Sequence, residues 1–269
     1  MAPEVNEAVE IAHTSGVLSA ASLMVGGAAA SDAVTRAKHL PRLRVGLHLV
    51  LVEGRPLLPA GRIPDLVTAD GCLRTDMVAL GAAIWLRASV RSQVAAEIEA
   101  QFEAFAATGL PLDHVNAHKH FHVHPTIASM LVQIGPRFGM RAVRAPVEPR
   151  SMLDSIEPAG RAPDELLARF WATRLKARLR GKGITAPDRV FGNAWSGAMS
   201  VERLTALVCD LPEGVTEIYT HPATAGGFEG AAPGYRYRDE MLALKSPALI
   251  EALSASGATT GGYLDLETQ

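Results

Sequence analysis

The sequence predicts an α/β protein built on a parallel sheet and closed as a TIM-like (β/α) barrel. Three observations lead there. Extended apolar runs alternate with helical patterns along the whole chain, the order that βαβ units require. At 269 residues the chain is long enough for one barrel, and no internal repeat or linker divides it, so 1–269 reads as a single domain. Apolar residues make up 48% and charged residues 20%, which supports a large buried core.

The elements follow in order. Residues 3–14 form a helix: Pro3 sits near N1, Glu4, Glu7 and Glu10 come early, Val5, Ala8, Val9 and Ala12 recur at helical spacing, and Gly16 stops it. An extended apolar run at 17–25 precedes a Gly/Ala turn and a helix at 31–39. Residues 43–52 read as a strand, 78–107 as the longest helix, and the histidine-rich segment after it as a strand leading to a helix from Pro125. Strand signals recur at 141–145, 189–192, 215–221 and 262–266, with helices at 165–180, 200–209 and 239–253. A parallel barrel opens with a strand, yet only Met1 and Ala2 precede the first helix. Either the barrel is built differently, or its first strand is missing from this polypeptide.

Composition excludes several classes. The net charge of −2 and the lack of a basic stripe with interleaved aromatics argue against a nucleic-acid partner. Cys72 and Cys209 are far apart and outside any Cys-x-x-Cys pattern, as expected of core residues in a reducing compartment. No apolar run reaches the ~18 residues that span a bilayer, and the N-terminus lacks a signal-peptide pattern. The expected location is cytoplasmic.

The chemistry is concentrated in histidine. Five of nine histidines fall between His114 and His124. Imidazole is the commonest neutral metal ligand and the usual proton shuttle near pH 7, so a metal-dependent hydrolase is the leading reading. In an extended segment, period two sends His114, Asn116, His118, His120, His122 and His124 to one face. One ion cannot use them all, so some line the cleft or orient ligands. His48, late in the strand Gly46-Leu47-His48-Leu49, and His118, where the next strand should open into a loop, are the candidate metal ligands. Gly46 beside His48 leaves room for a metal or substrate. His221, just before Pro222 at a strand end, could protonate a leaving group, although it also fits a structural role. His114, Asn116, His120, His122 and Arg144 are candidate substrate-binding or supporting residues; a buried Arg144 needs Glu148 or another carboxylate as partner.

A set of short motifs carries a resemblance. Pro3-Glu4-Val5-Asn6-Glu7-Ala8, Ser22-Leu23-Met24-Val25, Gly46-Leu47-His48-Leu49, Gly54-Arg55-Pro56, Asn116-Ala117-His118-Lys119-His120 and Thr220-His221-Pro222-Ala223 together resemble the YdjC-like carbohydrate deacetylases over essentially the whole chain. Val115 to His122, Arg144-Ala145-Pro146 and the run from Phe191 to Gly197 look closest to the hopanoid-biosynthesis-associated branch (HpnK). The resemblance implies an irregular (β/α) barrel and a divalent metal, zinc first and magnesium second, held by an aspartate and two histidines that map onto His48 and His118. It implies removal of acetyl from an N-acetylated amino sugar, with His221 in the family's His-Pro motif. For this branch the implied substrate is an N-acetylglucosaminyl hopanoid; the alternatives are a chitooligosaccharide deacetylase and a non-catalytic carbohydrate- or lipid-binding remnant.

Family members begin with a strand ending in Asn-Ala-Asp-Asp-Phe-Gly, which supplies the metal-binding aspartate and the general base, and this chain starts just after it. The expectation is an N-terminal truncation with impaired activity, since Asp113 on period two faces away from His114 and His118. A lipid substrate also implies peripheral contact with the inner membrane. Leu166, Leu167, Phe170 and Trp171 share a helical stretch with Arg169, Arg174 and Arg178, a pattern that fits either an interfacial helix or an ordinary barrel helix with a solvated basic face.

Overall fold

Three short segments form the central parallel sheet: β1 (Ala20–Leu23), β2 (Arg44–Leu49) and β3 (Val115–Ala117). The computed structural model describes residues 1–158 and 165–268. Ser22 pairs with Gly46, and His48 with Asn116. Period two therefore sends Ser22, Gly46, His48 and Asn116 to one face, while Leu47, Leu49, Val115 and Ala117 pack on the other in the main core. Isolated parallel bridges, Val115 to Val143 and Ala142 to Thr185, continue the array. A second parallel sheet joins β4 (Arg189–Phe191) to β5 (Thr216–Ile218), and Val190 N–H donates to Val147 O at 3.0 Å, tying it to the 142–147 segment.

The strands thus follow one another in sequence order, all parallel, as βαβ repetition predicts. The parallel α/β architecture is as expected, but barrel closure is not shown: the sheets have three and two strands, and among the described residues no strand pairing joins β5 to β1. The unpaired side of β1 and the whole of β5 are half-buried rather than enclosed.

Ten α-helices cover the outer face among the described residues: α1 (Pro3–Ser15), α2 (Ala30–Lys38), α3 (Met77–Leu86), α4 (Ala88–Ala107), α5 (Pro125–Ile134), α6 (Arg150–Ile156), α7 (Glu165–Arg180), α8 (Val201–Cys209), α9 (Tyr237–Leu244) and α10 (Pro247–Ser256). Two long helical patterns break where local chemistry requires it. The 78–107 pattern divides at Arg87, which leaves helical geometry (φ −113°, ψ 119°). The 239–253 pattern divides before Pro247, which cannot donate to a continuing helix. Asp76 caps α3 through Ala79 N at 2.9 Å.

Two core clusters result. One lies between β1–β3 and helices α4 and α5, the other joins Phe191, Leu204, Leu207 and Leu244 around α8 and α9. The expected strand at 262–266 is a 3-10 turn, Tyr263–Thr268, because Asp113 Oδ1 accepts from Leu264 N–H at 2.9 Å and Asp265 forms an ion pair with Arg44. The cysteines are not core residues: Cys72 is half-buried and Cys209 exposed.

Candidate functional site

The polar face of the first sheet and strand β5 line an open cleft of about 2680 Å³. His48 enters from β2 and His118 from the turn after β3, and their rings lie edge to face with centroids 5.9 Å apart. The extended histidine segment expected from period two ends at Ala117. Residues His118–Val123 form 3-10 turns in which Lys119 (φ 51°) and His120 (φ 53°) take left-handed backbone conformations. Non-glycine residues there cost of order 1–3 kcal/mol and are held by surrounding structure. The histidines consequently scatter.

His118 stays at the cleft, half-buried, while His120 turns to Tyr219, whose hydroxyl lies 3.1 Å from His120 Nε2. His122 leaves the cleft altogether, fully buried with Nε2 donating to Arg144 O at 2.7 Å. His124 caps α5 through Thr126 N at 3.3 Å. His114 is buried at the base of the cleft, its ring flat against Gly46, where an added Cβ would come within 2.5 Å of it. The space beside His48 that glycine opens is therefore filled by His114 rather than left for a ligand.

Asn116 holds His48: Asn116 Oδ1 lies 2.6 Å from His48 Nδ1. Desolvation drives the His48 pKa down to about 3 against that bond, and the nearby His118, Arg144 and His221 oppose a further positive charge. His118 is also lowered by burial, partly offset by Glu53, and His221 is lowered to about 4 by burial and by Arg144. All three rings are neutral near pH 7. His221 lines the cleft with its Nδ1 buried and unpartnered, and its backbone N–H donates to Glu240 Oε2. A neutral His221 accepts a proton before it can give one to a leaving group.

Arg144 is buried, and its partner is Glu217 rather than Glu148: Nε and Nη2 both donate to Glu217 Oε1, at 2.9 and 2.6 Å. Tyr263 Oη donates to the other oxygen at 2.6 Å, and the guanidinium sits 4.4 Å over the Tyr219 ring. Burial alone would raise the Glu217 carboxyl, but the charge and hydrogen bonds of Arg144 outweigh it and hold it below the usual range. Glu148 instead accepts from the backbone N–H groups of Gly192, Asn193 and Ala194 at 2.9–3.0 Å.

Sequence reasoning missed Glu53, Ser22, Asp113 and Glu217. Glu53, in a left-handed conformation (φ 52°) after β2, places Oε2 3.6 Å from His118 Nε2 and pairs with Lys119. Its position directly before Gly54-Arg55-Pro56 was the available signal. Asp113, expected to face away, meets its neighbour: Oδ2 is 2.7 Å from His114 Nδ1. Two neutral imidazoles, one with its tautomer held by an amide, fit a divalent ion by donor chemistry. Among the described residues, however, no group of three His, Cys, Asp or Glu side chains is gathered to hold one.

The rings of α7 are open, with Phe170 50% exposed and Trp171 half-buried, joined by Trp85 of α3 at 6.4 Å from Trp171. None of the three lines the cleft. No helix among the described residues is long and apolar enough to cross a membrane.

A family model described as YdjC-like protein matches residues 1–255. Carbohydrate deacetylases of Vibrio cholerae serotype O1 (strain O395) and Vibrio vulnificus (strain YJ016) are 33% identical over 135 residues and 38% over 131. These matches cover 50% and 48% of this chain and 50% and 49% of the relatives, so the chain spans about half the length of the curated relatives it matches there. A carbohydrate deacetylase of Geobacillus stearothermophilus is 27% identical over 257 residues, 94% of this chain and 88% of that protein. A crystal structure from Enterococcus faecalis V583, described as a cellobiose-phosphate cleavage protein, shares the fold with TM-score 0.74 at 20% identity, covering 98% of this chain and 94% of that one.

Proposed function

The chain belongs to the YdjC-like protein family, and from that premise we propose that it is a carbohydrate N-deacetylase acting on an N-acetylated amino sugar. The observation that carries the reading is the meeting of His48 and His118 in a cleft that His221 also lines, within a chain aligned over 94% of its length with a carbohydrate deacetylase. The two histidines would hold a divalent ion, zinc by ligand type and magnesium as the alternative. The chemistry such an ion supplies is polarisation of the acetamide carbonyl and acidification of a water. The chain's own residues do the rest. Asn116 orients the His48 ring, Glu53 restrains His118, and neutral His221 takes up a proton in the cleft and returns it to the departing amine.

The finer substrate is an N-acetylglucosaminyl hopanoid. A lipid-borne sugar would bring a membrane surface to the aromatic patch of Trp85, Phe170 and Trp171, next to the basic residues of α7. Liposome co-sedimentation tests this part: a Phe170→Ser/Trp171→Ser chain should bind less than the native one, and equal binding would remove it.

A second reading is a non-catalytic carbohydrate- or lipid-binding protein, favoured by the lack of a three-donor group among the described residues. The deciding experiment is amine release from chitooligosaccharides and from an N-acetylglucosaminyl lipid, after chelation and with zinc or magnesium restored. Metal-dependent release supports the deacetylase. Saturable binding of the same sugars without release under either ion overturns it in favour of the second reading.

A further inference from the structure

A continuous chain of side-chain hydrogen bonds runs from a buried carboxylate to His48, and with one proton on the His114 ring its donors and acceptors admit one direction. Asp113 is 1% exposed; its Oδ1 accepts from Leu264 N–H at 2.9 Å and its Oδ2 from Tyr263 N–H at 3.2 Å. A carboxylate accepts only, so His114 Nδ1, 2.7 Å from Asp113 Oδ2, carries a proton. With that one proton on the ring, His114 Nε2 is a lone pair, and Ser22 Oγ at 2.9 Å donates to it. Having spent its one hydrogen, Ser22 Oγ accepts from Asn116 Nδ2 at 2.8 Å. The amide oxygen accordingly faces the other way, 2.6 Å from His48 Nδ1, and accepts that N–H.

The opposite amide orientation fails on counting. It would leave Ser22 Oγ, His114 Nε2 and the amide oxygen with one hydrogen among three acceptors. The Asn116 side chain also stands 3.4 Å from His114 Nε2, where a nitrogen is tolerated and an oxygen repelled.

We propose that Asp113 is a positioning residue that sets the tautomer of His48 through His114, Ser22 and Asn116, placing the proton on Nδ1 and leaving Nε2 as a lone pair. Carboxylate, imidazole and hydroxyl here share the order of a nucleophilic triad. Ser22 nonetheless acts as a link, because its oxygen already accepts from Asn116. The packing of His114 on Gly46 keeps the ring plane in register with both neighbours. The relay concerns the state of one ring and does not rest on the deacetylase reading; either can fail without the other.

The test is nitrogen-15 NMR of the histidine rings in the intact chain, with the His48 signal assigned by its loss in His48→Gln. The native chain should show one His48 tautomer, protonated on Nδ1. Asp113→Ala removes the group that pins the direction, so both directions become satisfiable and His48 should become a mixture of the two tautomers. Asp265→Ala loosens the same C-terminal turn by cutting its contacts to Arg44 and Gly262 while leaving the relay alone, and should keep the native tautomer. If Asp113→Ala does not fold, His114→Phe interrupts the relay with Asp113 still in place, with the same mixture expected. A native His48 protonated on Nε2 overturns the proposal. So does a folded Asp113→Ala or His114→Phe chain whose His48 tautomer is unchanged.

Discussion

The two walls of the cleft solve burial of polar groups differently. On the β1–β3 wall, His48, Asn116, Ser22 and His114 are satisfied by neighbours on adjacent strands, one hydrogen bond at a time. On the adjoining wall, where the Arg144 backbone N–H donates to Val115 O of β3 at 2.9 Å, Arg144 and Glu217 are full charges, buried together and braced by Tyr219 and Tyr263. A hydrogen-bonded wall can be assembled from strand register, whereas a buried ion pair exists only if both partners arrive. The difference also sets the chemistry: one wall offers lone pairs, and the other keeps a positive charge near that adds to the lowering of His48 and His221 by burial.

The largest effect should separate the walls by function. If the first wall does the chemistry, His48→Ala should lower deacetylation by at least ~10²-fold, the scale of a group acting directly on a transferred proton or its ligand. Asn116→Ala, which only orients that ring, should cost about 10–100-fold. Equal losses in the two variants, measured as kcat/KM for amine release, would break the distinction between acting and orienting residues.

The second wall should matter most for stability. Glu217→Leu strands Arg144 as an unpaired buried charge and should cost about 3–5 kcal/mol in denaturant unfolding, while the double variant Glu217→Leu/Arg144→Met recovers most of it. A double variant as unstable as the single would mean that the ion pair itself, and not its imbalance, stabilises the fold.

Acid sharpens the comparison. His122 is fully buried and held at about 4, and His221 is held at about 4, against about 6.5 when unfolded. The folded pKa is the lower one, so below pH 6.5 the unfolded chain binds more protons. Stability should fall as pH drops from 6.5 to about 4, by roughly 1.4 kcal/mol per pH unit for each such ring. Unfolding curves at pH 7 and pH 5 that coincide would contradict it.

The smallest effect tests the packing of the hydrogen-bonded wall. Gly46→Ala drives a methyl into the His114 ring and should cost about 1–3 kcal/mol. A change below 0.5 kcal/mol by thermal unfolding, roughly the scale of a neutral surface substitution, would show that the ring can step aside.

Much of this was legible in the chain itself. The periodicities placed α1, α2, α5, α7 and α8 within a few residues, since each has an apolar stripe and a recognisable start or stop. The Gly-x-His strand and the histidine run located one wall, because residue types that bind metals or protons are rare enough to stand out. Local sequence could not show that the histidine strand stops at Ala117. Lys119 and His120 adopt left-handed geometry only because the turn into α5 demands it, and that turn redistributes His118, His120 and His122 to three surroundings.

Sequence by itself thus determined the alternation of strands and helices through β3 and α5, the parallel sheet, and the identity of the polar residues on β2 and β3, all consequences of local periodicity. Tertiary structure alone decided the pairing of Arg144 with Glu217 across 73 positions, the contact of Glu53 with His118, and the link from Asp113 to His48. Those choices depend on which elements come side by side and on the count of donors and acceptors buried there. A side chain's partner is a property of the assembled interior, where every buried polar atom must be matched.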